Sequence, residues 1–337
     1  MKGQAADGLA VGKIPARLLE ELLAALPPAP PEVLLGPQFG EDACAIELPR
    51  GVLVAATDPV TFTAEQIGRW SVVVNANDVA VSGARPRWFL TVILVPPGTA
   101  EVALREIVAE IRDALEAIGA HLVGGHSEVT PAVTQPVVVG QMLGQVEDGA
   151  VMSSAQAVAG DVVVQVRPVP IEGAAVLARE AARQLEGVDA EVIEEARAAL
   201  ERPGISVVEA ALAAKRLGAT ALHDPTEGGL AGGLHEIARA AGVRIRVDRD
   251  AVLWFEPGLA VCRALGADPW STLASGSLLA VFPSTLAGPA LLDLSARRHP
   301  AAAIGIVENG SGVHDIAGTA IPWPDRDEVA RLLASRG

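Results

Sequence analysis

The chain has 337 residues, of which 50% are hydrophobic and 20% charged, and its formal net charge is −15 at pH 7. Charged residues interrupt every apolar run before it reaches membrane-spanning length, and the acidic excess argues against a nucleic-acid partner held by its phosphates. The length suffices for two domains, each with its own hydrophobic core.

The N-terminal segment, residues 1–32, predicts a helix and a linker. Residues 14–26 (IPARLLEELLAAL) have helical periodicity and end before a cluster of four prolines. The motif GLAVGKI has three residues between its glycines and no Ser or Thr after its lysine, so it is not a P-loop. The segment also lacks the basic start and apolar core of a secretion signal, so we expect a cytoplasmic protein.

Acidic residues stand beside the first two predicted strands. Asp42 lies in the sequence GEDACAIEL, which predicts either a simple acidic turn before a strand or a ligand contact. The next strand, residues 51–57, delivers Asp58 at its end. A carboxylate at the carboxyl end of a strand is well placed to hold a ligand.

The following segment, residues 67–80, is an apolar helix that contains Asn75, Asn77 and Asp78. Asn and Asp are poor helix formers, and buried polar groups must be paired or hold an ion. Asn75 and Asp78 are three positions apart and therefore share one face of the helix. We favour contact with a ligand or Mg²⁺ over a purely structural network.

A further strand at 88–94 and an amphipathic helix at 99–119 are predicted as scaffold. The strand that follows is predicted to end at Gly124 and Gly125, and the polar residues His126 and Glu128 come directly after it. Another strand covers 136–146. The oxygen-bearing side chains are scattered along the chain, which suits Mg²⁺ better than zinc.

A domain boundary is predicted near residues 150–161, where the sequence is small, polar and without periodicity. We therefore expect an N-terminal domain over 33–155 and a C-terminal domain over 156–337. Helices and strands are interspersed in both, which predicts a mixed α/β fold. The two cysteines, Cys44 and Cys262, have neither the spacing of a metal site nor that of a disulfide framework.

The segment 222–242, LHDPTEGGLAGGLHEIARAAG, has the clearest functional pattern. His223, Asp224, Thr226 and Glu227 follow a strand end, and two glycines precede an amphipathic helix. Amide groups at a helix N-terminus attract phosphate, and glycines allow a ligand to approach the backbone closely. The alternative is an ordinary turn in which Thr226 or Asp224 caps the helix.

Five of these motifs, GEDACA, the strand ending at Asp58, NANDVAVSGARP, LVGGHSEVT and LHDPTEGGLAGGLHEIA, occur in this order. Together they resemble the aminoimidazole ribonucleotide synthetase superfamily, the PurM-like proteins. The resemblance implies a two-domain PurM-like fold whose N-terminal domain pairs with a second copy in a dimeric β-barrel. It also implies that Mg-ATP binds between this domain and a C-terminal α/β domain.

The resemblance extends to individual residues. It implies that Asp42, Asp58 and Asp78 hold Mg²⁺, and that His223, Asp224 and Glu227 carry the chemistry. The implied nucleotide-binding residues are Asn75, Asn77, Gly124, Gly125, His126, Glu128, Thr226, Gly228 and Gly229. The implied partners are ATP, an unidentified small-molecule or protein-borne substrate and a second copy of the chain.

Within the superfamily, the segment around Glu227 is most similar to HypE-like proteins, which usually have Arg at this position. HypE proteins carry a cysteine near the C-terminus, whereas the last cysteine here is Cys262. We expect an ATP-dependent enzyme that phosphorylates an amide, carboxyl or similar oxygen. The alternatives are a nucleotide-binding regulatory protein without turnover and a kinase of a small phosphorylated metabolite, for which Arg85, Arg87 and Arg167 are the basic candidates.

Overall fold

The described part of the chain folds into a mixed α/β structure with two six-stranded sheets, one from each half of the sequence. The computed structural model describes Arg17, Glu20 and residues 31–35, 43–61 and 65–334. Of the predicted helix at 14–26, only Arg17 and Glu20 are therefore described, and both are helical. Asp42 lies outside the described residues. The predicted mixed α/β class is confirmed.

The first sheet has the strand order β1-β2-β3-β6-β4-β5. Its pairs are antiparallel except for β4 with β5, which run parallel. The strands are β1 (Val33–Leu35), β2 (Ala43–Glu47), β3 (Val52–Val60), β4 (Arg85–Val95), β5 (His121–Val129) and β6 (Val137–Val146).

Two of these strands continue well past the end that the sequence pattern predicts. Strand β3 pairs with β6 up to Val60, so Asp58 lies within the strand and not after it. Strand β5 continues through Gly124 and Gly125 to Val129 because its parallel ladder with β4 persists there. The local sequence signals a strand end at both places, but pairing with a neighbouring strand overrides the signal.

Two helices pack on this sheet, α1 (Ile67–Val81) and α2 (Glu101–Ile118). Helix α1 contacts β3 and β6 and also α2. Helix α2 buries Ile107, Ile111 and Leu115 of the apolar face that its periodicity predicts, and it ends at Gly119, whose φ of +70° is in the left-handed region.

The second sheet has the strand order β12-β9-β11-β7-β10-β8. Its strands are β7 (Val162–Val166), β8 (Ala221–His223), β9 (Arg244–Val247), β10 (Leu278–Phe282), β11 (Ala301–Glu308) and β12 (Gly312–Asp315). Its helices are α3 (Glu172–Glu180), α4 (Ala190–Arg197), α5 (Val208–Arg216), α6 (Gly229–Ala241), α7 (Glu256–Leu265), α8 (Ser284–Ala296) and α9 (Glu328–Ala334). Strand β10, LLAVF, is buried along its whole length, in keeping with its uninterrupted apolar sequence.

One of the hydrophobic clusters extends across both halves of the chain. Val72 and Val79 of α1 belong to the same buried cluster as Val208 and Ala211 of α5, and the two helices are in contact. Burial of this apolar surface between the halves stabilises their relative placement. Within the described residues, no helix combines the length and apolar character that a membrane span requires.

Strand β5 is unusual because it forms an edge of the first sheet and is exposed along almost its entire length. Leu122, Val123 and Val129 are 49%, 55% and 61% exposed. An apolar edge strand of this kind is normally covered by another chain or by a protective element.

Candidate functional site

The polar turn ahead of α6 runs from Asp224 to Gly228, directly after strand β8. Gly228 and Gly229 have φ angles of +84° and +64°, which glycine adopts most easily. A Cβ atom on Gly229 would also lie 2.6 Å from the Trp270 carbonyl oxygen. The two glycines are therefore required by the backbone of the turn itself.

The first turn of α6 is capped by a side chain from the C-terminal end of the chain. Gly228 is the N-cap residue, and its N–H donates to Asp327 Oδ2 at 2.9 Å. The alternative in which Thr226 or Asp224 caps the helix is therefore wrong. The carboxyl group of Asp327 thus contacts the N-terminus of α6, and binding of a phosphate there remains a prediction.

Asp327 is held in place by the segment that leads to it. His235 Nε2 of α6 donates to the Ile321 carbonyl at 2.8 Å, and the His235 ring stacks on Trp323 with centroids 5.0 Å apart. Asp327 Oδ1 accepts from the Val329 N–H at 2.8 Å and so caps α9. The segment crosses α6 and brings this carboxylate to its first turn.

Two carboxyl groups near this turn have raised pKa values, and the charge of Glu227 contributes to both. The pKa of Asp327 is raised to about 7, mainly by burial; the charge of Glu227 adds to this rise, and hydrogen bonds from the backbone oppose it. Burial also raises the pKa of Glu172, at the start of α3; the Ser275 hydroxyl lowers it and Glu227 raises it. Glu227 itself is half-buried. The region therefore favours proton uptake or a cation.

His223 is 4% exposed, and both of its ring nitrogens are hydrogen-bonded. Nδ1 lies 3.2 Å from Ser154 Oγ, and Nε2 lies 2.8 Å from Glu236 Oε2. A proton transfer to a substrate would require one of these bonds to break. Asp224, the next residue, is also buried. Catalytic roles for His223, Asp224 and Glu227 remain predictions.

In the first half of the chain, Asn75 fixes the backbone of Asp58. Asn75 Oδ1 accepts from the Asp58 N–H at 2.8 Å, and Asn75 Nδ2 donates to the Asp58 carbonyl at 3.2 Å and to the Ser71 carbonyl at 2.8 Å. The amide thus bonds to Asp58 as a neighbouring strand would. The Asp58 side chain lies on an exposed part of β3.

Asn77 connects the two halves of the chain. Its Nδ2 donates to the Ile205 carbonyl at 2.9 Å, and its Oδ1 accepts from the Val207 N–H at 2.9 Å. The amides of Asn75 and Asn77 therefore belong to a structural network, the alternative that the sequence favoured less. A contact of either residue with ATP remains a prediction.

The three predicted metal ligands are not brought into one preformed cluster. Asp78 is 6% exposed on α1, and Asp58 is on the exposed surface of β3. Across residues 43–61 and 65–334, no group of three or more His, Cys, Asp or Glu side chains is arranged to hold a metal. Carboxylate oxygens nevertheless suit Mg²⁺, which commonly takes one or two carboxylates and completes its shell with water and phosphate oxygens.

Gly124, Gly125, His126 and Glu128 lie together on β5, at the open edge of the first sheet. His126 Nε2 and Glu128 Oε2 are 3.7 Å apart, and both side chains are exposed. Their contact with a nucleotide remains a prediction.

The arginines that could hold a second phosphate are engaged elsewhere. Arg167 is buried and donates to the carbonyls of Gly204 and Ser206, and burial lowers its pKa to about 10. Arg85 pairs with Glu209, and the Arg87 guanidinium stacks over Trp88. This arrangement weakens the case for a kinase of a phosphorylated metabolite.

Ser154, Glu236 and Asp327 were missed from the sequence. Asp327 precedes a short apolar-periodic segment and has the N-cap signature of α9, which could have drawn attention to it. Its contact with Gly228 spans 99 positions and leaves no local signal. Cys262, by contrast, is the buried small residue that its context predicts, and burial raises the pKa of its thiol to about 11.

Two family models match the chain. The N-terminal domain of AIR synthase related proteins matches residues 40–146, and the C-terminal domain matches residues 158–316. Carbamoyl dehydratase HypE of Rhodobacter capsulatus is 32% identical over 247 residues, which are 73% of this chain and 70% of that protein. The hydrogenase expression/formation protein HupE of Azotobacter chroococcum mcd 1 is 31% identical over 279 residues, which are 80% of this chain and 79% of that protein.

Solved structures show the same fold. A hydrogenase maturation protein HypE in complex with ATP aligns with a TM-score of 0.68 and 25% identity over 87% of this chain and 90% of that one. The HypE-HypF complex contains a chain that aligns with a TM-score of 0.72 and 24% identity, over 84% of this chain and 93% of that one.

Proposed function

Because this chain belongs to the family of AIR synthase related proteins, we propose that it is an ATP-dependent enzyme of that family. The reaction we propose is transfer of the γ-phosphate of Mg-ATP to an oxygen nucleophile, an amide, carboxyl or similar group. A structurally similar HypE forms a complex with ATP, which supports the nucleotide.

The observation that carries the proposal is the way in which Asn75 holds Asp58. Two hydrogen bonds, of 2.8 and 3.2 Å, fix the Asp58 main chain to α1 and leave its carboxylate on the protein surface. Phosphoryl transfer depends mainly on positioning and on electrostatic stabilisation of the phosphates. A carboxylate on a backbone that is locked in this way is well suited to hold a metal.

In the mechanism that we propose, Asp58 and Asp78 hold Mg²⁺, with Asp42 as a third ligand. The metal neutralises the phosphate charge when it is bound. Arg85, Arg87 and Arg167 already contact the chain's own groups, so we assign this neutralisation to the metal and not to an arginine. Asn75 and Asn77 keep α1 in place, and the exposed β5 residues His126 and Glu128 border the nucleotide.

On the second half of the chain, the turn before α6 faces the acceptor. Asp224 faces the bound Mg-ATP and orients the nucleophile, and the backbone at Thr226, Gly228 and Gly229 sets its distance from the nucleotide. Glu227 binds a second Mg²⁺, since like charges about 4 Å apart repel by roughly 4 kcal/mol at an effective dielectric of 20 unless a cation lies between them. The test is the Mg²⁺ dependence of ATP binding, which we expect to be weaker in Glu227→Gln than in the wild type.

We also propose that two copies pair through the open edge of the first sheet. The exposed Leu122, Val123 and Val129 of β5 would be covered by this contact. Light scattering at micromolar concentration should return twice the 34.5 kDa chain mass. A monomer at that concentration would contradict the pairing.

A nucleotide-binding protein without turnover is the second candidate. It is favoured by the mutual repulsion of Glu227 and Asp327, which disfavours further negative charge at this turn. ADP release should be measured with ATP and Mg²⁺ alone and with a panel of amides, carboxylates and thiamine monophosphate. Stimulation by an amide or carboxylate is expected. Binding of Mg-ATP with no ADP release in any mixture would favour the second candidate.

A further inference from the structure

The segment between the two sheets, residues 147–161, makes hydrogen bonds to both halves of the proposed site. The Met152 N–H donates to the Ser82 carbonyl at 3.0 Å, and Ser82 Oγ donates to the Asp78 carbonyl at 3.2 Å. Ser82 is the C-cap residue of α1. This part of the segment is therefore fixed to the end of the helix that carries Asp78.

Two residues further on, the segment reaches the second half of the site. Ser154 begins a single 3-10 turn, Ser154–Gln156, which is closed by a capping box between Ser153 and Gln156. Ser154 is 2% exposed, and its Oγ lies 3.2 Å from Nδ1 of His223. Hydrogen bonds at its two ends thus connect this short stretch of the segment to the main-chain carbonyl of Asp78 on one side and to His223, the residue before Asp224, on the other.

The second ring nitrogen of His223 defines the direction of these bonds. Nε2 lies 2.8 Å from Glu236 Oε2 on α6, and a carboxylate accepts hydrogen bonds. Nε2 therefore carries a hydrogen and donates, while Nδ1 accepts from the Ser154 hydroxyl in the neutral ring. A serine, a histidine and a carboxylate in contact also resemble a nucleophilic triad, but the burial of Ser154 and His223 excludes a substrate from the hydroxyl.

The position of His223 explains what these contacts can do. Strand β8 has three residues, lies at the edge of its sheet and pairs with β10. His223, opposite Leu279, is the last paired residue of the strand, and Asp224 follows directly. Hydrogen bonds on both sides of the ring therefore fix the main chain where Asp224 leaves the sheet.

We propose that Ser154 is a positioning residue that, through His223, sets the placement of Asp224 relative to Asp78. This inference rests on the proposed function, because it assumes that both carboxylates act on bound Mg-ATP and its acceptor. It assigns Ser154 and Glu236 to the site without any contact to substrate.

The neighbouring serine supplies a matched control. Ser153→Ala and Ser154→Ala each remove one hydroxyl from the same 3-10 turn. Ser153 Oγ accepts from the Ala155 N–H at 3.2 Å, so its loss weakens the turn but leaves the contact with His223 in place. Ser154→Thr keeps the hydroxyl.

Titration calorimetry of Mg-ATP, together with the melting temperature, tests the proposal. Loss of one buried hydrogen bond leads us to expect about three- to tenfold weaker binding in Ser154→Ala. Ser153→Ala should bind within about twofold of wild type even if its melting temperature falls as far, and Ser154→Thr should restore binding. If Ser154→Thr does not fold, Glu236→Ala is compared with Glu236→Gln instead. The Gln side-chain oxygen can still accept from Nε2 of His223, whereas Ala cannot.

Three results would overturn the inference. Unchanged affinity in Ser154→Ala would show that the contact does not set the site, and equal losses in both alanine variants would reduce the effect to the stability of the turn. Absence of Mg-ATP binding in the wild type would overturn the proposed function as well. The first two results, in contrast, require a wild type that binds and leave the proposed function intact.

Discussion

Helix α1 and the turn before α6 both place several polar side chains in apolar surroundings, yet they use them differently. In α1, the amides of Asn75 and Asn77 bond to main-chain groups of Asp58, Ile205 and Val207. Around the turn, burial raises the pKa of the Asp327 carboxyl group, and the charge of Glu227 adds to this rise. Amides connect elements at little electrostatic cost, whereas neighbouring carboxylates are costly and call for a proton or a cation.

The first turns of the two helices also differ, in the exposure of the carboxyl group that each one contacts. The Gly68 N–H of α1 donates to Glu110 Oε2 at 3.0 Å, and the Gly228 N–H of α6 donates to Asp327 Oδ2 at 2.9 Å. Each helix thus begins on a carboxylate from a distant element. Glu110 remains partly exposed, whereas Asp327 is 5% exposed, so the charge at α6 costs much more.

The largest effect is expected from Asn77→Ala, because Asn77 joins the two halves. The substitution leaves the Ile205 carbonyl and the Val207 N–H buried without their partner, which should lower the free energy of unfolding by about 2 to 4 kcal/mol. Urea unfolding followed by circular dichroism measures this change.

The control for Asn77→Ala is Gln66→Ala, which removes an exposed hydrogen bond between the same halves, to Glu201. It should change the free energy of unfolding by less than about 0.5 kcal/mol. Equal and small effects of the two substitutions would show that α1 does not connect the halves through Asn77.

The next effect concerns the pH dependence that Asp327 gives to stability. Its pKa is raised to about 7 in the folded protein, so its contribution is complete below the pKa of an unfolded Asp and is lost as the pH rises through 7. Between about pH 4 and 7 the wild type should lose on the order of 1 kcal/mol per pH unit relative to Asp327→Asn, and above pH 7 the difference between the two proteins should stay constant. Parallel curves of unfolding free energy for the two proteins between about pH 4.5 and 7 would contradict this assignment.

The smallest effect is expected from Glu110→Gln at the start of α1. Burial raises the pKa of Glu110, but the group is largely solvated, and the Gln oxygen can still accept from Gly68. The free energy of unfolding should change by less than about 0.5 kcal/mol. A loss as large as that of Asn77→Ala would mean that the two helix starts do not differ as described.

The sequence predicts much of the architecture because that part depends on local pattern. The apolar face of α2, its stop at Gly119 and the stop of α6 at Gly242 follow from periodicity and from glycine in the left-handed region. The ordered motifs also predicted the family, and the two domain models confirm it. The limits of the two domains of this chain, 33–155 and 156–337, remain predictions.

The candidate site is less predictable because its contacts are distant in sequence. Ser154 and His223 are 69 positions apart, and Gly228 and Asp327 are 99 apart. Nothing in the local sequence indicates that Asn75 bonds to the backbone of Asp58 and not to a ligand. A polar residue in an apolar helix predicts that a partner exists, but the fold decides which partner it is.

The central claim is that Asp58 and Asp78 hold the metal of Mg-ATP, and titration calorimetry of Asp58→Asn and Asp78→Asn tests it most directly. Each substitution should weaken Mg-ATP binding by about 1.5 to 3 kcal/mol, the scale of a hydrogen bond to a charged group. The exposed Asp113→Asn on α2 should bind as the wild type does, and unchanged melting temperatures should show that the folds are intact. Unchanged affinity in both Asp58→Asn and Asp78→Asn would contradict the account.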